Sequence, residues 1–438
     1  MHMDTARTAA VNALLGFLSK PECSSAAEKI NYYICKYKLQ PRDAAFASRL
    51  FFTALENEKL CSFYLSELGE RRWDSIPPVL QGILLLGAVQ ILFFSRVPDA
   101  AAVNTSVEIC RQKGQIRACA FINALLRRLS KVKENLPAIP KNEKAEYLSI
   151  LYSHPKWLVE RMIEIYGIKR TEKILQYNNS AIQITLQINT CRCSTAKVKT
   201  LFDTAGVRYT LIPDRNDCLI LERVGSVEKL PGYKEGYFYV QDDACRRSVE
   251  FADLKPGSRI WDACAAPGGK SMAAAILLND VGYILSSDLN RSKIERIREN
   301  TQRLGFTCIH PICWDAKERM EDIFDCVLAD VPCSGTGVIS KRPEIRFKAK
   351  ESVSSLPRVQ REIMDSVSQS VKPGGILLYM TCSLLPEENM DNVKIFLDQN
   401  RNFELAPLEA NSNDPAKTFL PGVHYMDGFF VCKMKRKE

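Results

Sequence analysis

Arg259-Ile260-Trp261-Asp262-Ala263-Cys264-Ala265-Ala266-Pro267-Gly268-Gly269-Lys270-Ser271 is the stretch whose reading decides the fold. Its first four residues read as a strand, the small residues after them as a turn, and residues 270–278 as a helix. The same rhythm recurs downstream. Strands at 282–286, 326–330 and 375–381, with another running into Trp314, alternate with helices near 291–304 and 357–371. Alternating units of this kind require a parallel sheet with right-handed crossovers, a doubly wound α/β arrangement. In such sheets ligands sit beyond the carboxyl ends of the strands, so the residues after each strand are where chemistry is expected.

After the first strand, residues 264–269 are small enough for the backbone to approach a ligand, and the helix start offers free N–H groups. Gly269-Lys270-Ser271 matches the end of a phosphate-cradling loop. Cys264 stands where that motif needs glycine, and the reading is set aside. Asp288, 20 residues past Gly268, is placed to accept both hydroxyls of a ribose, or to cap the helix beginning near Arg291. Trp314-Asp315-Ala316 adds an aromatic ring and another acceptor, although Trp314 alone would suit a core. Taken together, the turn and the two aspartates describe a nucleoside-containing cofactor. Asp330-Val331-Pro332-Cys333 and Thr381-Cys382-Ser383 then place cysteines at the ends of two more strands. A thiolate can add to carbon 6 of a pyrimidine, leaving carbon 5 able to take a methyl group. Asp330 would hydrogen-bond the ring nitrogen and exocyclic amine of such a base. A single strand-end cysteine is usually a small buried hydrophobe; two of them, one beside an Asp-Val-Pro turn, weaken that reading. Spacing leaves open which sulfur attacks.

Around this core the chain has 438 residues, enough for two or three domains. With 46% apolar and 25% charged residues it is not mainly disordered, collagen-like or membrane-embedded. Residues 1 to about 135 read as successive helices. Their most apolar stretch, 79–94, is short for a bilayer span and reads as the central helix of a bundle. Helices follow at 100–111 and 117–129, then a proline-marked linker at 136–140. His154-Pro155-Lys156-Trp157 leads into a helix ending near Gly167. A small region after it alternates strand (182–188), helix (195–205) and strand (207–212). The net charge of +9 favours a polyanionic partner. Its densest source is residues 111–133, where Arg111, Lys113, Arg117, Arg127, Arg128, Lys131 and Lys133 occur without an acidic residue. Sixteen cysteines follow no framework spacing, and the opening MHMDTARTAA lacks a leader-like apolar run. Reduced thiols in a cytoplasm are therefore expected. Cys191 and Cys193 lack the second pair or histidine that a metal site would need, so no metal is expected; with the chain's most apolar stretch too short for a bilayer span, no membrane partner is expected either.

The motifs resemble a known family. Asp262-Ala-Cys-Ala-Ala-Pro-Gly-Gly-Lys270, Asp330-Val-Pro-Cys-Ser-Gly-Thr-Gly337 and Thr381-Cys-Ser-Leu-Leu-Pro-Glu-Glu-Asn389 are similar, in this order, to motifs of the Sun/NOL/NOP RNA cytosine-carbon-5 methyltransferases. Gln241-Asp242-Asp243-Ala244 and Asp427-Gly428-Phe429-Phe430 resemble flanking motifs of the same catalytic domain. The N-terminal Arg96-Val-Pro, Ala101-Ala-Val-Asn104 and Phe121-Ile-Asn-Ala-Leu-Leu-Arg-Arg128 resemble a NusB-like RNA-binding domain, and His154-Pro155-Lys156-Trp157 resembles the start of a middle domain. That order of domains is similar to the bacterial RsmB (Sun) enzymes, which methylate small-subunit ribosomal RNA. The resemblance implies a multidomain protein: an all-α NusB-like domain at 1–137, a small α+β domain at 141–235, and a Rossmann-like methyltransferase domain at 236–438.

It also implies the roles. Cys382 would be the nucleophile and Cys333 would assist elimination. Cys264, Ala265, Ala266, Pro267, Gly268, Gly269, Lys270, Asp288, Asp315 and Asp330 would bind S-adenosyl-L-methionine, with Lys270 and Asp330 between cofactor and base. The implied product is a 5-methylcytosine in 16S ribosomal RNA at cytosine 967, made by a monomer. The basic residues of 111–133 would hold RNA phosphates. Attack by Cys382 requires a thiolate, stabilised by Lys270 or a helix N-terminus, and an unstacked cytosine in a loop or partly unfolded RNA. A non-catalytic RNA-binding factor would need none of these motifs. A transfer-RNA methyltransferase would share the chemistry and differ in the N-terminal part.

Overall fold

A computed structural model describes residues 5–20, 25–212, 214–222, 225–424 and 426–438. Met1–Asp4, which open the stretch read for a leader, and Cys23 lie outside them. The chain divides into two compact units, residues 1–180 with 339–350, and residues 181–338 with 351–438.

The first unit is helical: α1 (Thr5–Leu18), α2 (Ala26–Lys36), α3 (Pro41–Glu56), α4 (Glu58–Gly69), α5 (Pro78–Phe93), α6 (Asp99–Gln112), α7 (Cys119–Val132), α8 (Lys144–Leu151) and α9 (Lys156–Asn178). α3 begins as its Pro-Arg-Asp start signals, with Pro41 in the first turn. Helix α5 is the expected central helix, buried nearly all round through Ile83, Leu84, Leu85, Leu86 and Val89. Each such side chain contributes roughly 1.5–3 kcal/mol by leaving water. Residues 136–140 form no helix or strand, yet α8 stays in this unit. Ser153 Oγ accepts from Leu60 N at 3.0 Å and Ser149 Oγ from Lys59 Nζ at 3.2 Å. The helix expected to end near Gly167 breaks there, at φ 74°, and then resumes to Asn178. The inserted segment 339–350 is held by buried Arg346, which donates to the backbone carbonyls of Glu56, Tyr152, Ser153 and Asn178.

The second unit opens with β1 (Ile184–Ile188), α10 (Thr195–Thr204), β2 (Tyr209–Leu211), β3 (Cys218–Leu221) and β4 (Phe238–Val240). The strands form an antiparallel sheet in the order β2-β3-β1-β4. Leu186, Ile188, Val198, Phe202, Leu219 and Phe238 are its core. Then follow α11 (Asp243–Glu250), β5 (Arg259–Asp262), α12 (Gly269–Leu277), β6 (Tyr283–Asp288), α13 (Arg291–Leu304), β7 (Ile309–Cys313), β8 (Phe324–Asp330), α14 (Lys350–Ser354), α15 (Leu356–Ser368), β9 (Val371–Thr381), α16 (Met390–Gln399), β10 (Phe403–Leu405), β11 (Ala416–Phe419) and β12 (Phe429–Arg436). They build a mixed sheet in the order β7-β6-β5-β8-β9-β12-β10, with β11 also on β12. Strands β5 to β9 run parallel, and β12 is antiparallel to β9. Helix α15 stops at Ser368, short of the expected 371, because Val371 already pairs with Phe324 across a register irregularity. The order reverses at β5, with β6 on one side and β8 on the other, which is where such a sheet opens a crevice for ligands.

Candidate active site

The β5–α12 turn lies at that switch in strand order. Gly268 adopts φ +101°, a left-handed conformation that favours glycine, and a Cβ there would meet Ile297 and Met272 at 3.2 Å. Asp262, fully buried at the tip of β5, accepts from Ser271 Oγ at 2.6 Å, and Ser271 in turn accepts from Ser286 at 2.7 Å. Burial pushes the Asp262 carboxyl up to about 6, against the pull of Ser271 and Lys270. Its other oxygen, Oδ1, is buried with no hydrogen-bond partner among the described residues. Next along the sheet, Asp288 accepts from Asn290 N at 3.0 Å and faces Ala266 N at 3.4 Å. The cap of α13 is Asn290, whose side chain accepts from Ser292 N and Lys293 N. Asp288 therefore faces the glycine turn instead of capping the helix. Asp315 accepts from Lys317 N at 2.9 Å. Burial pushes the Cys264 thiol upward, and the carboxylates of Asp330, Asp262, Asp288 and Asp315 add to that rise. One thiol in the turn thus senses all four carboxylates. An orphaned buried oxygen, hydroxyl acceptors and concentrated negative charge fit a ligand that carries a ribose and a positive charge.

On the other side of β5, Asp330 ends β8, and its partner in register is Met380 of β9. Asp330 ion-pairs with Lys270, whose ammonium also lies 5.2 Å from the Phe429 ring centroid. Burial works against the Lys270 charge, but Asp330, Cys245 and Asp262 outweigh it and hold the ammonium above the ordinary lysine value. Because β8 and β9 are neighbours, the loops after them lie side by side. The sulfurs of Cys333 and Cys382 are 3.0 Å apart. Both thiols are free and half-buried. The hydrogen bond with Cys382 holds the Cys333 thiol well above its ordinary value, helped by burial and by the charges of Glu388 and Asp330.

A buried polar network that the motif reading assigned no role surrounds the sulfurs. Glu388, 1% exposed, accepts from Ser334 N at 2.8 Å, from Gln360 Nε2 at 2.9 Å and from Ser383 Oγ. Thr336 Oγ1 accepts from Leu384 N at 2.8 Å, and Gly337 N donates to Cys382 O at 2.9 Å. A Cβ on Gly337 would sit 2.2 Å from Gly428 O, so glycines are required where these loops cross. The only sequence sign of this network is the polar run Glu387-Glu388-Asn389 inside the motif.

The basic segment lies in the helical unit. Acidic residues outside the segment meet some of its charges: Glu108 pairs with Arg111 at 3.2 Å, Glu70 with Arg128 at 3.5 Å and Asp99 with Lys133 at 2.9 Å. Lys113 bonds to Asn12 and is half-buried. Arg117, Arg127 and Lys131 are exposed and meet no carboxylate among the described residues. Among the described residues no three His, Cys, Asp or Glu side chains cluster as metal ligands would, and no helix is long and apolar enough to cross a membrane.

Family models match along most of the chain. "NusB family" covers residues 4–131, a ferredoxin-like domain of RsmF/B-like methyltransferases covers 154–228, and "16S rRNA methyltransferase RsmB/F" covers 250–435. The ribosomal RNA small subunit methyltransferase B of Vibrio cholerae is 32% identical over 406 residues, 92% of this chain and 91% of that protein. A probable ribosomal RNA small subunit methyltransferase B from Synechocystis is 30% identical over 417 residues, 92% of this chain and 93% of its own. Among solved structures, PH0851 shares the fold with a TM-score of 0.80 at 24% identity, covering 100% of this chain and 99% of that one. A methyltransferase homolog from Pyrococcus horikoshii reaches a TM-score of 0.57 at 25% identity over 66% of this chain and 97% of its own. With a NusB domain, a small middle domain and a Rossmann-like methyltransferase domain in that order, the chain belongs to the RsmB/F (Sun) family of 16S rRNA methyltransferases.

Proposed function

We propose that this protein methylates carbon 5 of a cytosine in 16S ribosomal RNA, using S-adenosyl-L-methionine and a covalent bond between Cys382 and the base. The observation that carries the reading is the pair of sulfurs 3.0 Å apart beside the Lys270–Asp330 ion pair. A methyltransferase working on a heteroatom would need neither cysteine.

The cofactor supplies a methyl group on a sulfonium. The turn from Cys264 to Lys270 would hold it, with Asp288 accepting its ribose hydroxyls and Asp315 facing its base. The buried charge of Asp262 and that of Asp330 suit its positive centre. On the RNA side, the Cys382 thiolate adds to carbon 6 of the cytosine, and the electron pair moves towards carbon 5. Asp330, oriented by Lys270, accepts from the exocyclic amine and keeps the base in register. Cys333 keeps its proton because its thiol is held high, and its S–H lies 3.0 Å from the Cys382 sulfur as a donor during attack, while Lys270 is paired to Asp330. After methylation and loss of the carbon 5 proton, Cys333 assists elimination of Cys382. The target must leave its stack for both ring faces to be reached. The resemblance implies cytosine 967 as that target, and exposed Arg117, Arg127 and Lys131 would contribute phosphate contacts. Bisulfite sequencing of ribosomal and transfer RNA from cells with and without the gene tests the reading. A 5-methylcytosine lost only from transfer RNA would reassign the substrate, and no lost 5-methylcytosine would refute the chemistry.

A further inference from the structure

Glu388 touches both cysteine loops at equivalent places. One oxygen accepts from the N–H of Ser334, the residue after Cys333, and the other from the hydroxyl of Ser383, the residue after Cys382. Gln360 bonds the first oxygen and also Pro332 O at 3.0 Å, the carbonyl before Cys333. The backbone of Glu388 is itself fixed, since its carbonyl accepts from Tyr379 OH at 2.6 Å. Glu388 thus ties the residue after one sulfur to the residue after the other, and through Gln360 it also reaches the carbonyl before Cys333. Its hydrogen-bond donors among the described residues are all neutral. A buried carboxylate without a cation is costly to folding, and a neutral amide would satisfy part of the same geometry at lower cost. Stability alone does not account for an acidic side chain in this position.

We propose that Glu388 is a positioning residue of the reaction: by bridging Ser334 and Ser383 it sets the spacing of Cys333 and Cys382 so that both sulfurs address one pyrimidine ring. This rests on Cys382 being the nucleophile. The charge adds a second effect. Lying beside Cys333, it opposes loss of that thiol's proton.

The experiment uses the full chain with Glu388→Ala and Glu388→Gln, and Cys382→Ala alongside. Each variant is assayed for methyl transfer to in vitro transcribed 16S RNA as a function of pH. The rate of diamide-driven Cys333–Cys382 disulfide formation is followed by mass spectrometry of the linked peptides. Glu388→Ala should lower kcat at least about tenfold with RNA KM within about twofold, and slow the disulfide similarly. Glu388→Gln, which keeps the bridge in part, should form the disulfide at close to the native rate. Its alkaline limb of activity should move to lower pH, because Cys333 now ionises more easily. Variants whose disulfide rates and pH profiles match the native protein would overturn the inference, as would activity scaled down equally at every pH. Should Glu388→Ala fail to fold, the pH profile of Glu388→Gln decides. An active Cys382→Ala overturns the nucleophile assignment itself, whereas an inactive one beside native-like Glu388 variants overturns only the role of Glu388.

Discussion

Cys333 and Cys382 are 49 residues apart in the chain and 3.0 Å apart at their sulfurs. Parallel pairing of β8 with β9 brings them together, since Asp330 and Met380 share a register position and the chain turns away from the sheet just beyond each. Two thiols so close cannot both ionise readily: a proton on one is shared with the other, and a second negative charge would be repelled. Of the two, the raised Cys333 thiol is the one held against losing its proton.

If Cys382 forms the proposed covalent bond, Cys382→Ala should abolish methyl transfer, a loss on the order of a thousandfold or more. Binding of S-adenosylmethionine, measured by calorimetry, should stay within about twofold, because the turn proposed to hold it, residues 264–270, lies after a different strand. A variant that still methylates would show that position 382 does not attack.

Cys333→Ala should leave the attack possible and impair elimination. The expected result is a protein–RNA adduct that survives denaturing electrophoresis and needs both the cofactor and Cys382. If Cys333→Ala turns over normally and no shifted band appears, the release role is wrong.

The strand tips bearing these groups were legible because each short apolar run ends in a turn of small or polar residues, and the alternation with helices leaves few topologies. Positions 262, 288, 315, 330, 333 and 382 all fall at or just past such ends. What surrounds them was not legible. The role of Glu388 depends on Ser334, Gln360, Tyr379 and Ser383, groups whose convergence is a product of packing and not of spacing. Asn290, two residues after Asp288, caps α13, and nothing in the sequence ranks one cap above the other. Strands β3, β4, β10 and β11 have only three or four residues each, too short to show alternation. The +7 of residues 111–133 also looked larger than it is, since its acidic partners Glu70, Asp99 and Glu108 come from outside the segment.

Asp262 gives a prediction about pH. Its carboxyl is raised to about 6 by burial, above the ordinary aspartate value near 4. Between those two values the folded chain holds a proton that the unfolded chain has released. Stability from this group therefore falls as pH rises through that window and levels off above about 6. The full penalty at neutral pH is on the order of 3 kcal/mol. Urea unfolding of the native protein and Asp262→Asn, compared from pH 4.5 to 7.5, should show the native protein losing ground to the variant as pH rises. Adding S-adenosylmethionine at pH 7.5 should stabilise the native protein more than the variant, since a bound cation relieves the buried charge. Parallel pH curves would mean that Asp262 is not held in its raised state.

The ion pairs of residues 111–133 divide the segment's basic side chains into two classes for any contact with RNA. Arg111, Arg128 and Lys133 already have carboxylate partners, so engaging a phosphate means exchanging one ion pair for another. Arg117, Arg127 and Lys131 are exposed without that competition and would release counterions fully on binding. Replacing these three by glutamine should weaken binding of 16S RNA fragments at 0.1 M salt. It should also reduce the slope of log affinity against log salt by about 2, at roughly 0.7 per phosphate contact for single strands. The same exchange at Arg111, Arg128 and Lys133 should change the slope by less than half as much. If both triple variants flatten the slope equally, the ion pairs do not hold back their lysine and arginines in solution. If neither does, the segment is a solvated face of the helical unit and the RNA contacts lie elsewhere on the chain.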